Sequence, residues 1–158
     1  MRILFSALAL LLLAIPPAQA QQTVSGTARA IDGDTIDLQG VRIRLLGIDA
    51  PESGQACRDA QNTPYPCGER ARMALAEMIA GRVVSCSIER YDRYRRGLAV
   101  CTVAGLDLNA EMVRRGAAVA YIDRRYQGQE QEARAARRGI WAGAFDRPED
   151  WRRANRGR

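Results

Sequence analysis

The sequence predicts a mainly β fold with α (α+β): a five-stranded barrel with three helices packed against it. Three observations carry this. Five short segments of strand composition are separated by turn signals. Three others carry helix signals of apolar spacing, capping or charge order. The chain has 158 residues, 47% apolar and 27% charged, the length and balance of one globular domain.

Residues 24–31 read as the first strand, and Asp32-Gly33 as a turn. Residues 34–38 and 41–46 read as two more strands with Gln39-Gly40 at the bend, which makes a three-strand meander. Asp49-Ala50-Pro51-Glu52 breaks it, and a loop bearing Cys and Pro runs to Pro66. Residues 68–80 read as a helix, because Ala71, Ala74, Leu75, Met78 and Ile79 share one face and Gly81 supplies a stop. Residues 82–89 and 98–103 read as strands four and five. Asn109 is expected to cap a short helix through Arg115, closed by Gly116. Residues 127–138 read as the last helix, with Glu130 and Glu132 early and Arg134, Arg137 and Arg138 late, an order that complements the helix dipole. Glu130 and Arg134 form an i,i+4 pair. An OB-type barrel accounts for five strands with interleaved helices, since it closes a five-strand sheet and is a common nucleic-acid platform.

The first twenty residues read as an address. Met1-Arg2 is a basic start, residues 3–15 are a nearly unbroken apolar run, and Ala18-Gln19-Ala20 fits a small-residue cleavage site. The run is too short for a spanning helix. The expectation is therefore a signal peptide over 1–20, no stable membrane insertion after its removal, a barrel domain over 21–145 and a basic tail over 146–158. Export to a periplasmic or extracellular location suits the four cysteines, Cys57, Cys67, Cys86 and Cys101, as two disulfides. Three pairings are possible. Cys57–Cys67 would close a loop carrying Pro64 and Pro66, and Cys86–Cys101 would bridge strands four and five. No pair has CxxC spacing, which argues against a zinc ribbon or redox motif.

The chain contains no histidine, which removes Ser-His-Asp and Cys-His machinery and every His-ligated zinc site. Acid–base chemistry falls to carboxylates, tyrosine or metal-bound water. It also lacks lysine, so all 24 basic residues are arginine, the side chain that grips phosphate oxygens bidentately. Residues 21–133 hold 15 arginines and 15 acidic residues, whereas residues 134–158 hold 8 and 3. The excess positive charge of the mature chain thus sits at its C-terminal end, where it can attract a polyanion or remain a solvated tail.

Asp32, Asp34, Asp49 and Glu52 cluster at the outer ends of strands two and three. Clustered carboxylates repel unless a cation joins them, and a hard divalent ion accepts such oxygens. Arg44 lies on strand three, and Arg93, Arg95 and Arg96 surround Tyr94 in the turn between strands four and five. A cation and two arginines round one pocket would neutralise a phosphate whose charge grows in the transition state. Glu52 is the candidate to activate water. One geometric tension stands: a two-residue turn at Gln39-Gly40 sends Asp34 and Arg44 to opposite faces. Bringing them together requires a bulge near Gly40, strong local twist, or Asp34 outside the regular ladder.

Residues 30–35 (Ala-Ile-Asp-Gly-Asp-Thr), 44–52 (Arg-Leu-Leu-Gly-Ile-Asp-Ala-Pro-Glu) and 92–99 (Asp-Arg-Tyr-Arg-Arg-Gly-Leu-Ala) resemble the staphylococcal nuclease, or thermonuclease, family. Val113 to Ala117, Ala120-Tyr121 and Gly139 to Trp141 add to the resemblance, which runs in order through nearly the whole mature chain. It implies an OB-type barrel with three helices and a secreted, monomeric, Ca²⁺-dependent phosphodiesterase. Such an enzyme cleaves the P–O5′ bond of DNA and RNA and leaves 3′-phosphates. Carried over by position, Asp34, Asp49 and the Ala50 carbonyl match calcium ligands, with Asp32 acting through water. Glu52 matches the residue that positions or deprotonates the attacking water, and Arg44 and Arg96 the phosphate-gripping arginines. Arg93 and Tyr94 match nucleotide-phosphate contacts, and Tyr121 an aromatic that stacks on a base. Arg95 stands where the family usually has glycine, so it is expected to be strained at positive φ, and the loop over 53–67 differs. The alternatives are a catalytically inactive binding module of the same fold, which tends to lose the carboxylates, and an exported barrel that binds polyanions through its basic tail.

Overall fold

The computed structural model describes residues 22–156; the expected signal peptide lies outside the described residues. Its main sheet contains β1 (Gln22–Ala30), β2 (Thr35–Leu38) and β3 (Val41–Leu45). Short pieces β4 (Ile48–Asp49), β5 (Cys57–Arg58) and β6 (Pro64–Tyr65) follow. Helix α1 (Cys67–Ile79) leads to β7 (Val83–Tyr91), β8 (Gly97–Val103) and β9 (Leu106–Asp107). Helix α2 (Leu108–Arg114), β10 (Val119–Ala120), helix α3 (Gln127–Ala135), a 3₁₀ turn (Gly139–Ala142) and helix α4 (Pro148–Ala154) complete the described chain.

The strand order is β3-β2-β1-β7-β8-β9, and β3 also pairs with β8, in parallel. That last pairing joins the two sides of the sheet, so the five long strands form a closed ring. Closure removes the exposed sheet edges. Ile36, Ile43, Leu45, Val84, Ala99 and Cys101 are fully buried inside it. Helix α1 closes one end with Ala71, Leu75, Met78 and Ile79, the face its apolar spacing predicts.

The structure changes three expectations. Asn109 does not cap α2: Asp107 does, accepting from the Ala110 N–H at 2.9 Å. Asn109 is buried inside the helix, where its amide donates to the Leu46 and Ala99 carbonyls and its oxygen accepts from the Cys101 N–H. It thus ties β8 to the turn after β3. Helix α3 stops at Ala135, since Arg137 and Gly139 both take left-handed backbone. The basic segment is not merely a tail: Pro148 opens α4, with Glu149 and Asp150 in its first turn and Arg152 and Arg153 in its last. The described helices are therefore four rather than three.

Both disulfides form, as Cys57–Cys67 and Cys86–Cys101. Cys86 and Cys101 lie directly opposite each other on β7 and β8. Cys57 and Cys67 sit in a second small core with Val119 and Ile140.

Candidate active site

The β2–β3 hairpin keeps its two-residue turn, with Thr35 opposite Arg44 and Leu38 opposite Val41. There is no bulge here. Asp34 instead lies just beyond β2: its carbonyl still accepts from the Leu45 N–H at 2.8 Å, but the chain bends there, with the Ile31 and Asp32 N–H groups both donating to the Thr35 carbonyl. The bend turns its carboxylate back toward Arg44. The close approach needs Gly33: a Cβ there would lie 2.6 Å from the Ala50 Cβ and 2.7 Å from the Ala71 Cβ. Asp32 braces the bend by accepting the Asp34 N–H at 2.9 Å.

Arg44 joins the two acids. Its guanidinium donates to Asp34 Oδ1 and Asp49 Oδ1, each at 2.9 Å. Asp34 is 4% exposed and Asp49 is fully buried, so both charges sit where water cannot solvate them. Asp34 also accepts from the Ala50 N–H at 3.1 Å and the Thr35 hydroxyl at 2.9 Å. Burial pushes the Asp34 carboxyl up to about 7, with Asp32 and Asp49 adding to the shift and Arg44 and the Ala50 N–H opposing it. A further cation beside Asp34 would favour its ionised form.

Glu52 follows Ala50-Pro51 at the mouth of the site. Its N–H donates to the buried Gln55 side chain at 3.1 Å, and Gln55 in turn donates to the Asp146 carbonyl at 2.7 Å. Helix α1 begins against the same backbone: a Cβ on Gly68 would fall 1.8 Å from the Glu52 carbonyl oxygen. Only glycine permits that contact.

The second arginine comes from the β7–β8 turn. Asp92 accepts the Tyr94 and Arg96 N–H groups and the Arg96 Nε at 2.8 Å, which fixes the direction of Arg96. Arg95 takes φ 63°, the strained left-handed backbone expected at the family's glycine position. Arg93 lies over the Tyr94 ring, 4.7 Å from its centroid. Tyr121 arrives from β10, which pairs Val119 with Asp49.

A cavity of about 1010 Å³ gathers these groups: Asp32, Asp34, Arg44, Ala50 and Glu52 on one side, and Arg93, Tyr94, Arg96 and Tyr121 around it. Asp49 lies behind Arg44. Among the described residues, no three acidic, histidine or cysteine side chains converge closely enough to cage a metal alone. A cation here would need the Ala50 carbonyl and water beside Asp34 and Asp49, a donor set of oxygens that suits a hard ion.

The family model described as staphylococcal nuclease homologue matches residues 42–143. The chain belongs to this family. It is 38% identical over 152 residues to "Micrococcal nuclease" of Shigella flexneri, covering 81% of this chain and 79% of that one. It is also 38% identical to "Protein ParB" of Escherichia coli, over 97% of this chain and 91% of that one. "Succinoglycan biosynthesis protein ExoI" of Rhizobium meliloti (strain 1021) shares 37% over 78% of this chain and 68% of its own length. The staphylococcal nuclease match ends before α4.

The residue that sequence reasoning missed comes from α4. Arg152 crosses the cavity and grips Asp49 with both nitrogens, at 2.9 and 3.0 Å, and Glu52 Oε1 at 2.6 Å. Burial would lower the pKa of Arg152, but these two carboxylates outweigh it and hold the guanidinium charged. The charge excess located this basic segment, but no local spacing singled out position 152. Gln55 gave no signal either.

Proposed function

We propose that this chain is an exported, Ca²⁺-dependent nuclease that acts as a monomer on DNA and RNA, cutting the P–O5′ bond and leaving 3′-phosphate ends. The observation that carries this reading is one cavity lined by Asp34, Glu52 and the Arg44 and Arg96 side chains, with buried Asp49 held against it by Arg44. The two disulfides and the apolar, basic-led first twenty residues support export. No described helix is long and apolar enough to cross a membrane.

In this reading Asp34, Asp49 and the Ala50 carbonyl hold Ca²⁺, with Asp32 reaching it through water. The ion supplies Lewis-acid stabilisation of charge on the phosphoryl oxygens. Arg44 and Arg96 bind non-bridging oxygens, and their fixed positions favour the more highly charged transition state. Glu52 accepts a proton from the attacking water, a role left to carboxylate in a chain without histidine. Arg93 and Tyr94 hold a neighbouring phosphate and Tyr121 stacks on a base.

The test is digestion of single-stranded DNA and of RNA by the mature chain, with Ca²⁺ and then with chelator, followed by analysis of the product ends. Cleavage that needs Ca²⁺ and leaves 3′-phosphates is expected. Glu52→Gln should lower turnover by roughly 10²–10⁴. Binding without cleavage would leave the inactive module, and 5′-phosphate ends would refute the proposed bond.

A further inference from the structure

We propose that Arg152 is a further phosphate-binding residue of this site and that α4 forms a wall of the nucleic-acid groove, facing the β7–β8 turn. The inference rests on the nuclease reading above and adds a subsite to it.

Three observations meet here. Arg152 presents its fork to both oxygens of Asp49, the geometry a guanidinium also presents to a phosphate. Its side chain is 30% exposed and that of Glu52 34%, so the pair faces the cavity and is reachable from solvent. The same cavity is lined by Trp151 and Arg156 from this end of the chain and by Arg93, Tyr94 and Arg96 from the β7–β8 turn. An anionic strand with stackable bases fits between two such walls.

The Arg152–Glu52 pair cannot persist during the reaction. A carboxylate held by a guanidinium is a poor proton acceptor, and Glu52 must face water. An incoming phosphodiester offers Arg152 oxygens equivalent to those it leaves, so one oxyanion replaces another. That exchange frees Glu52 while α4 stays over the substrate. The neighbouring Arg153 is not equivalent, because Glu149 and Asp150 pair with it on the helix itself.

The test measures affinity of the mature chain for a fluorescent single-stranded oligonucleotide with Ca²⁺ present, in a Glu52→Gln background that slows turnover. Adding Arg152→Gln should weaken binding about ten- to hundredfold at low salt. It should also reduce the slope of log affinity against log salt by about 1. Arg72→Gln, which removes the same charge far from the cavity beside Glu69, should change affinity less than about threefold. In the chain with Glu52 intact, Arg152→Gln should raise KM more than it lowers kcat. Unchanged or tighter binding in Arg152→Gln would overturn the proposal and leave Arg152 as a lock on the acids. If Arg152→Gln unfolds, Arg152→Lys serves instead: it keeps the charge, loses the fork, and should bind several-fold more weakly than the parent. Undiminished turnover in Glu52→Gln would refute the role given to Glu52, and the binding comparison would still judge Arg152.

Discussion

The direction of Arg96 depends on one carboxylate. Asp92 accepts three N–H groups from its own turn, two of them from Arg96. Burial would raise the Asp92 carboxyl, but donation from the Arg96 N–H and guanidinium and from the Tyr94 N–H outweighs it and lowers it. A depressed folded pKa means stability that is present above the unfolded value, about 3.9, and lost as pH falls through the folded one. Asp92→Ala should therefore cost about 1–3 kcal/mol at pH 7. Thermal unfolding should show that gap closing below about pH 4. Turnover should fall on the order of tenfold or more, because a misaimed guanidinium loses its alignment with the phosphate. At this scale the site was largely legible. Arg44, Arg96, Asp34, Asp49 and Glu52 lie in three charged blocks whose order and spacing are specific; four of them line one cavity and Asp49 is bound to Arg44 at its wall. Arg152 was not legible. It reaches Asp49 from 103 residues away in sequence, and nothing local distinguishes it from the arginines beside it.

Among the elements, the bend between β1 and β2 shows how a small residue sets a charged site. The alternation of a two-residue hairpin predicts that Asp34 and Arg44 diverge, and the regular part of the hairpin obeys that rule. Asp34 escapes it at the end of β2, where its carbonyl still accepts from the Leu45 N–H but the chain bends, and Gly33 lets the bend press against Ala50 and Ala71. Gly33→Ala should overpack this contact and cost about 1–3 kcal/mol in urea unfolding. If Asp32 and Asp34 hold Ca²⁺ as proposed, calorimetry should show weaker Ca²⁺ binding in this variant, since the bend carries both. An unchanged unfolding midpoint would mean that the bend yields freely. Helix α1 was legible from its apolar face because periodic burial holds it in place. Helix α4 was not. Its Pro148 and its acidic-to-basic order are helix signals, but seven residues with Trp151 as their one large apolar side chain carry no periodic stripe. Ion pairs to the barrel hold it, and those depend on tertiary position.

Across the whole molecule the two disulfides have the same chemistry and different reach. Cys86–Cys101 joins neighbouring strands inside the main core, where the ladder already fixes the geometry. Cys57–Cys67 fastens the loop that carries Gln55, and this loop is hydrogen-bonded to the C-terminal segment. Arg58 and Ala144 exchange backbone hydrogen bonds at 2.8 and 3.1 Å, and Gln55 holds the Asp146 carbonyl. From there Pro148 begins α4 and places Arg152 on Asp49. Each bridge should contribute about 3 kcal/mol, mostly by restricting the unfolded chain. Replacing Cys86 and Cys101 by alanine should therefore lower the unfolding temperature and leave oligonucleotide affinity within about twofold at temperatures where the chain is folded. Replacing Cys57 and Cys67 should lower the unfolding temperature by a similar amount and also weaken oligonucleotide binding. That second loss should shrink when Arg152→Gln is already present, because residues coupled through one structure do not add. Equal affinity in the two cysteine pairs would break the proposed line from the disulfide loop through Asp146 and α4 to the carboxylates.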